Sequence, residues 1–131
     1  MEGQQKMQHT FTKQERLNSK KKIEQLFKKG ITKRAGCINM IYRITDQELD
    51  TPVQVLFSAP KKQFHRAVDR NLLKRRMREA YRLNKKAITE VCRKANKNMI
   101  VAFIYSGKTI ALYTEIEEKM KSLLEVIELI K

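Results

Sequence analysis

The spacing of apolar residues changes several times in the first half of the chain, and each regular stretch predicts an element. A helix is predicted from about residue 19 to 29, with Ser19 as its cap and Gly30 at its end. Alternation of apolar and polar positions then predicts strands at about 37–44 and 53–58. The segment between Ile31 and Gly36 has only a weak strand pattern.

The second half contains the longest predicted helix, from about residue 67 to 93. The run MIVAFIY at 99–105 is continuously apolar, which is typical of a strand buried on both faces. A last helix is predicted from about 113 to 130, because Ile116, Met120, Leu123, Ile127 and Ile130 recur at spacings of four and three. The order helix, two strands, helix, strand, helix predicts an α+β fold in which helices pack on a small mixed sheet.

The length of 131 residues fits one domain. Residues 1–15 are polar and unpatterned, so they are expected to form a flexible basic tail in front of a single domain at 16–131. No apolar run approaches the roughly 18 residues that a membrane span requires. The start of the chain also lacks an apolar signal-peptide core. These features predict a cytoplasmic protein.

The charge of the chain is strongly basic and unevenly distributed. The formal net charge is +15. Residues 58–97 contain 14 basic and 3 acidic residues, and residues 1–34 contain 10 and 3, whereas residues 113–131 contain 3 and 5. Such an imbalance usually accompanies a nucleic-acid partner. The basic segments therefore predict where a polyanion would bind.

A helical wheel divides the predicted helix at 67–93 into two sides. The core side holds Leu72, Leu73, Met77, Ala80 and Leu83, and the basic side holds Asn71, Lys74, Arg75, Arg78 and Arg82, with Arg70 at its edge. Arg76 interrupts the apolar side and is expected to reach solvent. Because the basic side has almost no acidic residues to offset its self-repulsion, it favours a phosphate-binding role.

The residue types that usually carry catalysis or bind metals do not form a recognisable constellation. Cys37 and Cys92 lie far apart, which predicts buried free thiols in a reducing compartment. His9 and His65 lack the spacing of metal ligands, so no metal site is predicted in the protein. No catalytic residue is predicted either.

The stretch FSAPKKQFHRAVDRNLLKRRMREAYR, from Phe57 to Arg82, resembles the signature region of the bacterial ribonuclease P protein family. The matching residues are Ser58, Lys61, Lys62, Arg66, Ala67, Val68, Arg70, Asn71, Lys74, Arg75, Arg78 and Glu79. The segment at 16–30 is similar to the family's first helix, and the resemblance covers roughly residues 10–130. One departure is Leu72, at a position where many members have arginine.

The resemblance implies an α+β fold with a left-handed β-α-β crossover and two RNA-binding surfaces. The long helix and the loop before it would bind the catalytic RNA through Lys61, Lys62, Arg66, Arg70, Asn71, Lys74, Arg75, Arg78 and Arg82. A cleft between the sheet and the first helix would receive the 5′ leader of precursor tRNA, with Ile23, Phe27, Asn39, Ile41, Tyr42 and Arg43 as candidate lining residues.

Two alternatives remain open for Tyr42. It shares its phase with Ile38, Met40 and Ile44, which favours the core, whereas an aromatic ring on this strand could also stack on a leader base. A gapless alignment puts Ile41 at the family's leader-contacting position.

The resemblance also implies the reaction and the partners. The protein would be a subunit of a ribonucleoprotein endoribonuclease that removes the leader, with the active site in the RNA and Mg²⁺ bound mainly by that RNA. Its partners would be ribonuclease P RNA and precursor tRNA, with neither a membrane nor a protein partner indicated. Two other functions fit the charge: a structural RNA-binding protein of ribosomal type, and a DNA-binding module. The outer face of the long helix is almost purely Arg and Lys, which suits contacts with phosphates better than contacts with base edges. This counts against a DNA-binding module that recognises base sequence.

Overall fold

The computed structural model of the protein describes residues 11–45, 49 and 51–128. A short 3-10 helix, Lys13–Glu15, precedes helix α1 (Lys20–Lys29) and strands β1 (Ile31–Ala35), β2 (Ile38–Thr45) and β3 (Val53–Ser58). Helices α2 (Ala67–Asn84) and α3 (Lys86–Ala95), strand β4 (Asn98–Tyr105) and helix α4 (Tyr113–Glu128) follow. This order confirms the predicted α+β class. Predictions for residues 1–10, for most of the turn at 46–51 and for Ile130 lie outside the described residues.

The four strands form one mixed sheet in the order β1-β2-β4-β3. Strand β2 pairs antiparallel with both β1 and β4, and β3 pairs parallel with β4. The weakly patterned segment is thus strand β1, and it forms a tight hairpin with β2. Gly36 begins the two-residue connection with a φ of 53°, a backbone conformation that suits glycine. Helices α2 and α3 connect β3 to β4 as a β-α-β unit.

The two faces of the sheet are covered unequally. The three-helix face packs against α2, α3 and α4 and consists of Ile38, Met40, Tyr42, Val53, Val55, Phe57, Met99, Val101, Phe103 and Tyr105, all buried. The one-helix face packs against α1 and consists of Asn39, Ile41, Arg43, Leu56, Ser58, Ile100, Ala102 and Ile104. Because side chains alternate along a strand, neighbouring residues belong to opposite faces.

Aromatic rings fill the three-helix face. The rings of Phe57 and Phe103 stack with centroids 5.8 Å apart, and Tyr81 of α2 lies 5.8 Å from Phe103. Helix α4 closes this core with Ile116, Met120, Leu123 and Ile127, which confirms the described part of the predicted apolar stripe. Most of the apolar area of the domain is therefore buried on this side of the sheet.

The predicted single helix at 67–93 is wrong, because the chain breaks it at Lys85 into α2 and α3. Lys85 is buried, and its ammonium donates to both carboxylate oxygens of Glu15, at 2.9 and 2.7 Å. The break returns Ile88 and Cys92 to the core, whereas Leu83, predicted on the core side, is 44 % exposed. Tyr81 fills the inward position near the end of α2 instead.

The segment from Phe11 to Leu17 wraps around the edge of strand β3. The ring of Phe11 lies 5.6 Å from Phe57 on the three-helix face. Leu17 is buried on the one-helix face, and its N–H donates to the Val55 carbonyl at 2.9 Å. Residues 11–15 therefore differ from the tail predicted for them. The Thr12 N–H donates to the Glu15 carboxylate at 3.1 Å, and this T-x-x-E capping pattern was the available sequence signal.

Candidate nucleic-acid interface

Helix α2 presents the predicted basic side because its opposite side is anchored in the core. Leu73, Met77, Ala80 and Tyr81 are all fully buried. Asn71 and Arg75 are exposed, and Lys74, Arg78 and Arg82 are half-buried, which is consistent with charged heads on long apolar stems. Lys61, Lys62 and Arg66 of the preceding loop are exposed and extend this surface beyond the start of the helix.

Arg70 has a structural role that the sequence did not predict. Its guanidinium donates to the carbonyl oxygens of Phe64 and His65, both at 2.8 Å. Phe64 is buried, and its ring lies 5.7 Å from that of Tyr105. Arg70 therefore fixes the loop that carries Lys61 and Lys62 against the start of α2, while its remaining N–H groups stay available as donors.

Arg82 is paired within its own helix. Its Nε donates to Glu79 at 3.1 Å, and a second guanidinium nitrogen also contacts the same carboxylate. This hydrogen bonding lowers the pKa of Glu79 and raises the pKa of Arg82. The positive charge of Arg82 is thus partly offset, which distinguishes it from Lys74 and Arg75.

Two other arginines of α2 differ in their partners. The Nε of Arg78 is buried and has no hydrogen-bond partner among the described residues. An orphaned donor of this kind is costly unless a ligand or water satisfies it. Arg76, which was expected to reach solvent, instead donates to the Ala111 carbonyl at 2.5 Å and joins α2 to the loop before α4. The expectation for Arg76 is therefore wrong.

On the other side of the sheet, α1 packs very closely on strand β2. A Cβ atom on Gly30 would lie 2.4 Å from the Leu26 carbonyl oxygen and 2.6 Å from the Cγ2 of Ile41, so only glycine fits here. Ser19 caps the helix by accepting from the Lys22 N–H at 3.4 Å, as predicted. Ile23 is half-buried against the cluster below α1, which consists of Leu17, Leu26, Ile100 and Ala102. Phe27, one turn later, is 48 % exposed.

A row of half-buried residues on the one-helix face lies beside the cluster that α1 covers. Asn39 is aligned with Ile104 of β4, which is aligned with Ser58 of β3. The Oδ1 atom of Asn39 is buried and has no hydrogen-bond partner among the described residues. The row ends at Ser58, shortly before the exposed Lys61 and Lys62. It therefore combines an apolar side chain, an unsatisfied acceptor and nearby positive charge.

The structure separates the six predicted cleft residues into two groups. Ile23 and Phe27 of α1 and Asn39, Ile41 and Arg43 of β2 lie on the one-helix side of the sheet.

Tyr42 points to the opposite side, where it is 2 % exposed in the core, and burial raises the pKa of its hydroxyl. Its placement in the cleft is corrected, because the alternation of β2 puts it in phase with Ile38 and Met40.

The predicted site residues do not include the lysines of α1, although residues 1–34 were predicted to be a basic segment. Lys20, Lys21 and Lys28 are exposed, and none is ion-paired within the part of the chain that the structure describes. The excess of basic residues at 1–34 was the signal in the sequence. Helix α1 thus has an apolar side toward the sheet and a basic side away from it.

Among the described residues, no cluster of metal-ligating side chains is present and both cysteines are free. Within 11–45, 49 and 51–128, no three His, Cys, Asp or Glu side chains are placed to hold a metal ion. Cys37 is half-buried and Cys92 is buried, and burial is the main cause that raises the pKa of both thiols. In that same part of the chain, no helix has the length and hydropathy of a membrane span.

The fold and its charged surfaces define a small basic α+β domain of a class that binds polyanions. A family model described as Ribonuclease P matches residues 11–128. The chain therefore belongs to the ribonuclease P protein family, whose members are the protein subunit of a tRNA-processing ribonucleoprotein endoribonuclease and associate with ribonuclease P RNA.

Relatives with the name ribonuclease P protein component support this assignment. The protein from Chlorobaculum tepidum is 36 % identical over 118 residues, covering 80 % of this chain and 77 % of the relative. The protein from Porphyromonas gingivalis is 32 % identical over 117 residues, covering 88 % and 85 %.

Solved structures share the fold. The RNase P protein of Staphylococcus aureus superposes with a TM-score of 0.68 at 20 % identity, covering 89 % of this chain and 98 % of that one. The RNase P protein of Thermotoga maritima gives a TM-score of 0.66 at 23 % identity, with the same coverage.

Proposed function

We propose that this subunit binds the catalytic RNA through the basic side of α2 and holds the 5′ leader of precursor tRNA beside α1. The leader would lie on the uncovered row of the one-helix face. The protein would thereby assist removal of the leader, and it would act in the cytoplasm, where precursor tRNAs are made and trimmed. The observation that carries the proposal is the incomplete cover of this sheet face, which leaves Phe27 exposed on α1 and a half-buried row from Asn39 to Ser58 that ends shortly before a basic loop.

The basic side of α2 supports the first half of the proposal. It holds Lys74, Arg75 and Arg78 on a rigid helix, and the Arg70 hydrogen bonds hold the backbone of the loop that carries Lys61 and Lys62. Cations held in place lose little conformational freedom when they meet phosphates, and counterion release then supplies a favourable, salt-dependent free energy. Folded RNA offers phosphates along such a surface without requiring base contacts.

The one-helix face supports the second half. Phe27 offers an exposed ring on which a base can stack, at a typical cost of about 1–3 kcal/mol when the ring is removed. Asn39 adds a half-buried polar side chain to the same face. Ile23 stands where the family often has phenylalanine, so stacking is expected from Phe27 more than from Ile23. These features suit single-stranded RNA, because its bases are not paired and remain accessible.

The proposal assigns the Mg²⁺ ions to the RNA subunit and to no side chain of the protein. The described residues offer no cluster of carboxylates that would fit this ion. The protein would neutralise phosphates and position the leader, which indirectly favours metal binding by the RNA. Cleavage itself would be carried out by the RNA.

The first test is precursor-tRNA cleavage at low Mg²⁺ by a bacterial ribonuclease P RNA, with and without this protein. We expect the protein to restore trimming that the RNA alone cannot perform. Substrate affinity should also fall when the leader is deleted. Binding to the RNA without any effect on cleavage, or on leader dependence, would contradict the proposal.

A second test separates the two surfaces. Lys74→Ala should lower the log–log salt slope for binding the RNA subunit by about 0.7–0.9, because one phosphate contact is lost. Lys86→Ala, an exposed lysine of α3, should leave that slope unchanged.

Phe27→Ala should weaken binding of precursor tRNA but not of mature tRNA, since only the precursor has a leader. The matched control is Leu112→Ala, which removes a 71 % exposed apolar side chain from the other side of the sheet. Equal effects of the two variants on precursor binding would remove Phe27 from the leader site.

A further inference from the structure

Helix α1 has a second surface that neither the cleft nor the basic side of α2 includes. Leu26 is fully buried and marks the inward direction of the helix. At about 100° per residue, Phe27 lies about 100° from it, and Lys20, Lys28 and Lys21 lie at about 120°, 200° and 220°. In angle, the lysines thus begin next to the exposed ring and continue across the solvent side of the helix, with Lys28 near Phe27 along the axis and Lys20 two turns away. We call these three lysines the outer face of α1.

The charge on the outer face is not neutralised locally. Glu24 lies among the three lysines and is exposed, at a spacing of four residues from both Lys20 and Lys28. Nevertheless, none of these residues forms an ion pair within the part of the chain that the structure describes. By contrast, Glu79 of α2 pairs with Arg82. The outer face therefore keeps a net positive charge that is open to a polyanion.

The position of the outer face limits which RNA segment can reach it. Helices α1 and α2 lie on opposite sides of the sheet, so phosphates bound along α2 are separated from α1 by a complete layer of the fold. A single-stranded RNA segment that lies beside Phe27 and runs along α1, however, reaches Lys20 two turns away, after about 10 Å. The helix is about 15 Å long, which provides room for several nucleotides along one side.

We propose that the outer face of α1 binds the phosphates of leader nucleotides upstream of those beside Phe27, so that a longer leader adds affinity. The inference rests on the proposed leader site and names the part of the substrate that meets α1. Lysine is suited to this role because it contacts phosphate as a point charge without reading the base. The contact would be independent of leader sequence and sensitive to salt.

The test uses the reconstituted holoenzyme with a neutralised variant, K20Q/K21Q/K28Q. Its matched control is K86Q/K94Q/K108Q, which removes the same charge from exposed positions outside both proposed sites. Affinity is measured over a range of salt for precursors with leaders of about 4 and about 16 nucleotides, lengths that bracket a typical single-strand site.

We expect the neutralised variant to bind the long-leader substrate about tenfold more weakly at low salt, and the log–log slope to fall by about 2, at about 0.7 per lost contact. Binding of the short-leader substrate and of the RNA subunit should stay at the control's level. Glu24→Gln should act in the opposite direction and tighten binding of the long-leader substrate by about twofold, because it removes a repulsive charge.

Three outcomes would overturn the inference. The neutralised variant could match its control with the long leader, it could lose affinity equally with both leaders, or it could fail in binding the RNA subunit. The second would assign the outer face to a part of the substrate that both precursors share, and the third would assign it to the RNA subunit. Failure of the wild-type protein to restore trimming would instead refute the proposed function, and the two failures are therefore distinguishable.

Discussion

The two faces of the sheet differ in how completely they are covered. Three helices and a cluster of packed aromatic rings bury the three-helix face, whereas α1 and Leu17 cover part of the one-helix face. Phe103 and Ile104 illustrate the contrast, since these neighbours on β4 are fully buried and half-buried respectively. The three-helix face thus supplies most of the stability, and the one-helix face retains accessible groups. In this way a small domain can support a binding site on a rigid sheet.

The largest expected effect tests this division directly. Phe103→Ala should lower the free energy of unfolding by about 3–5 kcal/mol, because it leaves a cavity among stacked rings. Ile104→Ala should lower it by only about 1 kcal/mol, since the side chain is only partly buried. Denaturant unfolding of both variants measures the difference. Similar losses of unfolding free energy would contradict the view that the three-helix face supplies most of the stability.

The buried ion pair between Glu15 and Lys85 offers the next test. Lys85→Met should destabilise the protein by about 3 kcal/mol, because the Glu15 carboxylate is left buried without its partner. The double variant Glu15→Leu/Lys85→Met should recover most of this loss, since no buried charge remains. A double-mutant cycle by denaturant unfolding separates the pair from the single changes. If the double variant is as unstable as the sum of the single variants, the two residues are not coupled.

Gly30→Ala tests the less covered side. The added methyl group would overlap the Leu26 carbonyl oxygen and Ile41, so α1 must shift away from β2. We expect a loss of about 1–3 kcal/mol in unfolding free energy. Weaker binding of the leader should accompany it, while binding to the RNA subunit through α2 is retained. Unfolding and the two binding measurements together would show whether α1 moves as a unit.

The smallest effect concerns Glu79 and Arg82 on the basic side of α2. Hydrogen bonding from Arg82 lowers the pKa of Glu79 below its ordinary value of 4.5, so the pair stabilises the fold above that value. The contribution should disappear as pH falls through the lower pKa of the folded state. Because both side chains are substantially exposed, about 0.5 kcal/mol is expected. Glu79→Gln should flatten this part of the stability–pH curve, and an unchanged curve would show that the pair contributes nothing.

Local patterns predicted most of the elements, and contacts between distant residues account for the differences. Strand 53–58 and the start and end of α1 were predicted correctly, because alternation, a cap and a glycine are local signals.

The break at Lys85 could not be predicted from local patterns, and the residue there is held by a carboxylate 70 positions away. The prediction that Arg76 reaches solvent was wrong for a similar reason, because its hydrogen-bond partner is a carbonyl in the distant loop before α4. In the candidate site, a helical wheel predicted the basic side of α2. The hydrogen bonds of Arg70 to backbone carbonyls and of Arg82 to Glu79 depend on side-chain geometry that residue spacing does not show.

The order of the strands has a consequence for how the chain folds during its synthesis. Strands β2 and β3 follow each other in sequence, yet both pair with β4, the last strand to leave the ribosome. Until residue 105 has emerged, β3 has no partner within the sheet and α2 has no complete surface to pack on. Translation adds about 5–20 residues per second, so a basic, incompletely folded chain persists for several seconds. During this time the edge of β3 therefore stays unpaired by the sheet of its own chain.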